Sequence, residues 1–536
     1  MLGARQTDMS TNPATGALGI SGPRRFAAGL LAGLVAGIVM TTVMLLLASL
    51  FGIATPLTLL GDRISVFFQA DAFLALMGRV GGYNRMKQLG VGSVMAGQIV
   101  LGGFGGAAYG LLAQRFSPSQ KRLLSLGVFV LLPLLAVSIA LLPVLGTHYG
   151  GYPIRNASAL TVLGLLLSFL AFERTLVMSF AGLTGRARSI PRGYEFTPPI
   201  GRRALILGGL GLLVAGGGAA LLRKLFHAAT FSYDGTQYKG EIVQAITPND
   251  QFYCVTKNVI DPRVDESIWR LDVVGLVETP QRYKIERLRG LPAITQETTL
   301  MCISNGLDAG LMSNAVWKGV PMRTLLDAAT PLAAARKVRL HGVDNYTDTI
   351  SLEKALDPAT LIVYEMNGER LPERHGFPAR AIVPGYFGEK HVKWITRIEL
   401  ADEKAEGFYE KQGWGPDFTI PTRSRIDLPY NEAYFDRAAA AQGIQVRGVA
   451  FGGDRGISRV ELSTDDGATW NEARLDYPGT RLTWALWSYE WRPADPANYT
   501  LVVRATNADG ELQTWNPERP FKSGSTGFHR IVVYVG

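Results

Sequence analysis

The chain has 536 residues, room for three or four units at roughly 100–200 residues per domain. Its 54 Lys and Arg outnumber 45 Asp and Glu for a net charge of +9, but no basic stripe interleaved with aromatics goes with the excess, which argues against a nucleic-acid reader. The two cysteines, Cys254 and Cys302, allow one bridge at most and lack C-x-x-C or C-x-x-C-H spacing, so a disulfide scaffold, an iron–sulfur cluster and a c-type haem are not expected.

Composition breaks near residue 225. Upstream, charges are sparse and Leu, Gly, Ala and Val dominate. Five apolar segments, near 26–50, 91–113, 123–146, 157–178 and 204–222, are long enough to cross a hydrocarbon core of about 30 Å. The stretch 57–80 is amphipathic, carries Asp62, Arg63 and Asp71, and reads as a helix lying in the interface. Arg24 and Arg25, then Arg115, Lys121 and Arg122, then Arg186, Arg188, Arg192, Arg202 and Arg203 flank alternate ends of the spans, which sets the N-terminus inside. Arg63, Arg79, Arg85 and Lys87 in the 51–90 loop oppose this count. Five crossings put everything after residue 225 outside the cytoplasm. Glycines four apart, Gly102, Gly106 and Gly110, suit close helix approach. Only Glu173 and Arg174 are ionisable near a span interior, and no span contains histidine, so the spans read as an anchor or docking surface rather than a transporter or a membrane haem site.

Downstream, the pattern is that of a globular protein. "WRLDVVGLV" (269–277), "KVRLHGV" (337–343), "TLIVYEM" (360–366), "ARAIVPG" (379–385) and "HVKWITRIEL" (391–400) read as strands, and "PMRTLLDAA" (321–329) as a helix. Asn367-Gly368 marks a tight turn. Residues 401–440 read as irregular. From 443 the pattern is strands alone, spaced as in a two-sheet sandwich, with Trp470, Trp484, Trp487, Trp491 and Trp515 as packing residues.

The stretch "MCISNGLDAG" (301–310) sets Cys302 between a strand and a Gly- and Asn-rich turn. A lone cysteine is ordinarily a small buried hydrophobe. A thiol nucleophile would need His375 or His391 as its base, and neither stands in a local arrangement that marks one. "ERHGFPARAIVPGYFGEKHVKW" (373–394) gathers His375, Arg380, Lys390, His391 and Lys393 among turn-forming Gly and Pro, a pattern suited to holding an anion.

"FYCVTKN" (252–258), "CISN", "VWKGVPMRTLLDAA" (316–329), "GVDNYTDTISLEKAL" (342–356) and "LIVYEMNGERLPERHGFPARAIVPGYFGEKHVKWITRIEL" (361–400) together resemble the molybdopterin-binding domain of the sulfite oxidase family. The strands after 440 resemble its C-terminal dimerisation domain. The implied fold is a multi-pass α-helical membrane anchor (1–225), an α+β molybdopterin-binding catalytic domain (226–440) and an all-β immunoglobulin-like sandwich (441–536). The family's haem domain of cytochrome b5 type has no counterpart.

Position by position, the resemblance implies Cys302 as the thiolate ligand of molybdenum, a soft donor suited to the dithiolate cofactor. It implies Tyr346 as the tyrosine beside the metal. Lys257, Asn258, Asn305, Asp344, His375, Arg380, His391, Val392 and Lys393 fall on cofactor-binding positions, and Cys254 is left as a core residue. Sulfite oxidases follow the metal cysteine with "AGNRR", whereas this chain reads Cys302-Ile303-Ser304-Asn305-Gly306-Leu307. Loss of both arginines disfavours a hydrated dianion and favours a neutral sulfoxide. Lys318 or Arg323 is the candidate to restore charge. The expected activity is extracytoplasmic oxygen-atom transfer on a small sulfur compound, sulfoxide reduction before sulfite oxidation, with a separate cytochrome or membrane haem subunit as electron partner and homodimerisation through the sandwich. The alternative is a non-catalytic assembly protein with a vestigial site. Arg24-Arg25 and Arg202-Arg203 each resemble a twin-arginine export signal, the second directly ahead of the catalytic part.

Overall fold

The computed structural model describes residues 21–51, 83–141, 154–184, 243–258, 261–517 and 523–536, with isolated positions elsewhere. Two compact units divide the chain: Met1–Val43, Met95–Leu134 and Leu166–Gly218 form one, and Met44–Val94, Leu135–Leu165 and Ala219–Gly536 the other.

Among the described residues four helical stretches are long and apolar enough to cross a membrane: Gly22–Phe51, Arg85–Arg115, Pro118–Leu141 and Arg155–Thr184. They correspond to the first four expected spans. The fifth, 204–222, most of 57–80, and the pair Arg202-Arg203 lie outside the described residues. In the first unit a β-carbon at Gly33 would overlap the Gly102 carbonyl, and one at Gly106 would overlap that of Gly29. These two helices therefore meet backbone to backbone, which only glycine allows. Glu173 is buried there, with Oε1 accepting from the Ser125 hydroxyl at 2.7 Å and Oε2 paired with Arg174 at 3.3 Å. Its charge is thus met inside the unit.

The region that follows is built on two five-stranded sheets. In one, Glu369–Arg370, Leu361–Met366, Met312–Pro321 and Ile294–Met301 pair in that order, with Arg380–Ile382 also on Leu361–Met366. The other runs Gln281–Tyr283, Leu271–Gly275, Ile395–Ala401, Lys337–Gly342, Thr347–Ser351. Apolar faces of both contribute to one core, with Leu271, Val273, Leu340 and Ile398 from the second sheet and Val320, Ile362 and Ala381 from the first. Each of the Leu, Ile and Val side chains contributes about 1.5–3 kcal/mol on burial. Three features of this layout position the site. Ile294–Met301 and Met312–Pro321 form an antiparallel hairpin with Met301 opposite Met312, so 302–311 is its loop. Asn367 and Gly368, at φ +52° and +78°, make the expected tight turn. The run "HVKWITRIEL" is not one strand: pairing starts at Ile395, and His391–Trp394 turn away, with Trp394 at φ +51°.

The C-terminal part is a two-sheet sandwich. Arg423–Leu428, Ile444–Phe451, Ala485–Trp491 and Arg474–Tyr477 form one sheet. Ala433–Phe435, His529–Val535, Ala497–Asn507, Ile457–Ser463 and Asn471–Glu472 form the other. Val446, Ala450 and Trp487 face Val460, Leu501, Val503 and Val533 across the core. The stretch 401–440 is not irregular throughout, because Arg423–Leu428 and Ala433–Phe435 complete the two sheets and Arg437–Gln442 is helical. Trp484, Trp487 and Trp491 are buried, whereas Trp515 is 75% exposed and packs no core.

Candidate active site

A cleft opens where the 302–311 hairpin loop, the 252–258 segment and the turns at 344–346, 375–380 and 388–394 converge. It holds about 1060 Å³ free of protein atoms, open solvent at its mouth included. Of the residues singled out in the sequence, Cys302, Tyr346, Lys257, Asp344, His375, Arg380, His391, Val392 and Lys393 all line it. They come from five separate stretches of chain. Asn258 and Asn305 stand behind the wall.

The hairpin loop fixes Cys302. Its amide donates to the Leu311 carbonyl at 3.0 Å, and the Asn305 side-chain oxygen accepts from the Leu311 amide at 2.8 Å. Asn305 is thus a loop brace rather than a cleft residue. The Cys302 Sγ lies 3.1 Å from the Ser304 hydroxyl. Burial pushes the thiol up to about 11, and the Ser304 hydroxyl partly offsets the effect.

One flank of the cleft is cationic. Arg380 is buried, donates to the carbonyls of His375 (3.0 Å) and His391 (3.1 Å), and has an Nε with no hydrogen-bond partner among the described residues. Burial lowers its pKa to about 10. Lys393 Nζ reaches the carbonyls of Val255 and Arg374, each at 3.2 Å, and sits 3.8 Å from Cys254 Sγ. Lys257 donates to the Asp344 carbonyl at 3.0 Å. Neither Arg380 nor Lys393 is ion-paired with a carboxylate among the described residues. Asp344 accepts from Asn258 Nδ2 at 2.8 Å and from the Tyr346 amide at 3.2 Å, which ties the 258 and 344 turns together. His375 and His391 are held near pKa 3, chiefly by burial and secondly by Arg380. Each is neutral and has a backbone partner: Asn249 O for His375, and the Val383 amide with Tyr386 O for His391.

The other flank is acidic and aromatic. The Tyr346 hydroxyl donates to Asp348 at 2.7 Å and lies 3.2 Å from the Glu389 carbonyl. Burial, then Asp348, holds its pKa well above the ordinary tyrosine value. Lys390 faces away from the cleft, bound to Asp348 at 2.6 Å and Glu410 at 3.0 Å.

Several expectations change. Cys254 is buried yet lines the cleft beside Lys393, so it is not a plain core cysteine. Lys318 and Arg323 do not restore charge: both are surface residues, paired with Glu365 at 2.9 Å and Asp327 at 3.8 Å. The arginines near the cysteine loop come instead from the sandwich. Arg423 donates to the carbonyls of Asn305 (3.1 Å) and Gly306 (2.6 Å), and Arg425 to that of Ala309. Tyr253, Ser304, Glu389, Tyr409 and Trp414 also line the cleft and were not singled out, because no local motif carries them. Lys87, counted earlier among the loop cations of the N-terminal half, donates to the carbonyls of Thr256 and Asn258.

These residues suit the cofactor that the resemblance implies. A buried guanidinium with a free Nε, and a lysine satisfied only by carbonyls and a sulfur, ask for an anion such as a phosphate. A thiol partly open to the same cleft supplies the soft donor.

Residues 258–409 match the oxidoreductase molybdopterin binding domain, and 417–535 the Mo-co oxidoreductase dimerisation domain. Sulfite oxidase of Arabidopsis thaliana is 28% identical over 349 residues, covering 54% of this chain and 88% of that protein. Mitochondrial sulfite oxidase of Homo sapiens is 29% identical over 341 residues, 54% of this chain and 62% of the relative. Nitrate reductase [NADH] 2 of Phaseolus vulgaris is 30% identical over 325 residues, 48% of this chain but only 36% of the relative. The chain belongs to the sulfite oxidase family of molybdopterin-dependent oxidoreductases, and its cofactor is molybdenum-molybdopterin.

Proposed function

We propose that this enzyme performs oxygen-atom transfer on a small, neutral sulfur compound, reducing a sulfoxide in preference to oxidising sulfite. One observation carries the reading: among the described residues the loop after Cys302 brings no cation into the cleft, and the cations that line it, Lys257, Arg380 and Lys393, are those assigned to the cofactor. Gly306 and Leu307 follow in the loop, Lys390 is consumed by Asp348 and Glu410, and Arg423 is spent on loop carbonyls. A desolvated dianion there would lose its hydration without a counter-charge. When bound, the molybdenum centre supplies two-electron redox chemistry at the metal. Cys302 would ligate the metal, and Arg380 and Lys393 would hold the cofactor phosphate, with Lys257 and Asp344 toward its polar edges. The Tyr346 hydroxyl spends its hydrogen on a bond to Asp348, so toward a ligand in the cleft its phenolic oxygen would act as an acceptor.

The same proposal includes membrane attachment through the N-terminal helices, a site outside the cytoplasm, and a separate cytochrome or membrane haem subunit as electron partner. It also includes an immunoglobulin-like sandwich, beginning near residue 441, that pairs two copies. Four apolar helices and the matched dimerisation domain support it. Metal analysis of the purified protein beside Cys302→Ser, followed by dye-linked assays with sulfite and methyl sulfoxides, tests the core of the reading. Stoichiometric molybdenum in the parent and its loss in the variant are expected, with faster turnover of the sulfoxide. Faster turnover of sulfite would reject the substrate assignment.

A further inference from the structure

Lys87 stands outside both matched domains, yet it grips a wall of the cleft. It lies near the start of the helix Tyr83–Leu112, in the part of that helix that belongs to the same compact unit as the cleft. Its Nζ donates to the Thr256 carbonyl at 3.5 Å and to the Asn258 carbonyl, and among the described residues it is ion-paired with no carboxylate. The segment it holds has little regular pairing of its own. Cys254–Val255 is a two-residue strand set against Tyr233–Asp234, and the ladder stops there. Beyond it lysines from elsewhere in the chain take over: Lys393 donates to the Val255 carbonyl at 3.2 Å, and Lys87 to those of Thr256 and Asn258. A charged donor makes the stronger kind of hydrogen bond, so these contacts fix backbone that pairing leaves loose. Two side chains of this segment face the Asp344 turn. Lys257, which lines the cleft, donates to the Asp344 carbonyl at 3.0 Å, and Asn258 Nδ2 to the Asp344 carboxylate at 2.8 Å. The two carbonyls held by Lys87 flank Lys257, so the same ammonium that fixes the backbone also aims that side chain.

We propose that Lys87 is a positioning residue of the molybdenum site, clamping the 256–258 backbone from outside the cofactor-binding domain and so holding Lys257 and the Asn258–Asp344 pair ready for the cofactor. The inference rests on the assignment of Lys257, Asn258 and Asp344 to that cofactor. It also gives a use to one of the four cations that oppose the topology count in the 51–90 loop. Because Lys87 touches the segment directly, the start of its helix and the cleft lie on one side of any bilayer the helices cross, as five crossings from an inside N-terminus require.

The test uses the full chain, purified in detergent with its cofactor. Molybdenum per chain is followed during dialysis, and hydrogen–deuterium exchange is read on peptides covering 252–258 and, for comparison, 497–507 of the sandwich. Lys87→Met is expected to lose molybdenum about tenfold faster than the parent and to exchange faster over 252–258, with 497–507 unchanged. Lys87→Arg, which keeps a cationic donor, is expected to recover most of both. Arg85→Met, which removes an exposed charge from the same helix, is expected to change neither. Parent-like retention and exchange in Lys87→Met overturn the proposal, as does an equal loss in Arg85→Met. Exchange that rises alike over both peptides overturns it too, since Lys87 would then serve general stability. A parent that carries no molybdenum counts instead against the cofactor assignment, and exchange over 252–258 then decides by itself whether Lys87 clamps the segment.

Discussion

Buried histidines make the fold sensitive to acid. His529, in the last strand of the sandwich, accepts from the Ile426 amide at 3.0 Å, and burial pushes its pKa down to about 4 from 6.5. The folded protein keeps this ring neutral while the unfolded chain protonates it below about 6.5. Stability is therefore unaffected above that pH, falls as pH drops toward 4, and loses at most about 3 kcal/mol to this group. Thermal unfolding at pH 7 and pH 5 should show a lower midpoint at pH 5. His529→Asn, which keeps an acceptor for the amide, should narrow the gap without closing it, because His375 and His391 are buried and neutral too. An equal gap in both proteins would assign the acid response to other groups. At this scale the sequence was informative wherever chemistry is local. Cys302, Arg380 and Lys393 stand in contiguous runs that carry their own pattern, and all three reach the cleft. Glu389 and Cys254 were not legible, because what brings them to the cleft is the folding of distant segments and not a local motif.

Among elements, the first two long helices show most directly how composition becomes packing. Glycine at 29, 33, 102 and 106 removes the side chains that would hold two backbones apart. Gly33→Leu should break this contact, and the purified protein in detergent should unfold at a lower temperature and be cut faster by trypsin. Leu at Gly90, where a β-carbon meets nothing within 4 Å, should leave both unchanged. Periodicity located the strands of the two cofactor-side sheets well, since alternation is a property of each strand alone. It failed where a strand depends on a distant partner: Arg423–Leu428 pairs with Ile444–Phe451, and Ala433–Phe435 lies parallel to His529–Val535, nearly a hundred residues on. It failed in the opposite sense at His391–Trp394, where apolar alternation continues but the chain turns to reach the cleft.

Over the whole molecule, every residue lining the cleft lies at or before Trp414, yet the thiol loop is held from beyond it. Arg423 binds two of its carbonyls, and Met301, Ile303 and Met312 pack with Val449, Phe451 and Trp484 of the sandwich. Hydrogen bonds from a charged group are worth about 1.5–3 kcal/mol, so Arg423→Gln should shed molybdenum roughly tenfold faster on dialysis while the sandwich stays folded by circular dichroism. Unchanged retention would mean the loop stands without it. The arrangement also sets an order in time. A ribosome that has released the chain only as far as Trp414 has made the complete lining of the cleft but not the strands that steady its sulfur. Loading of the cofactor is therefore a late event in the life of each polypeptide, waiting on the synthesis and folding of the final hundred or so amino acids.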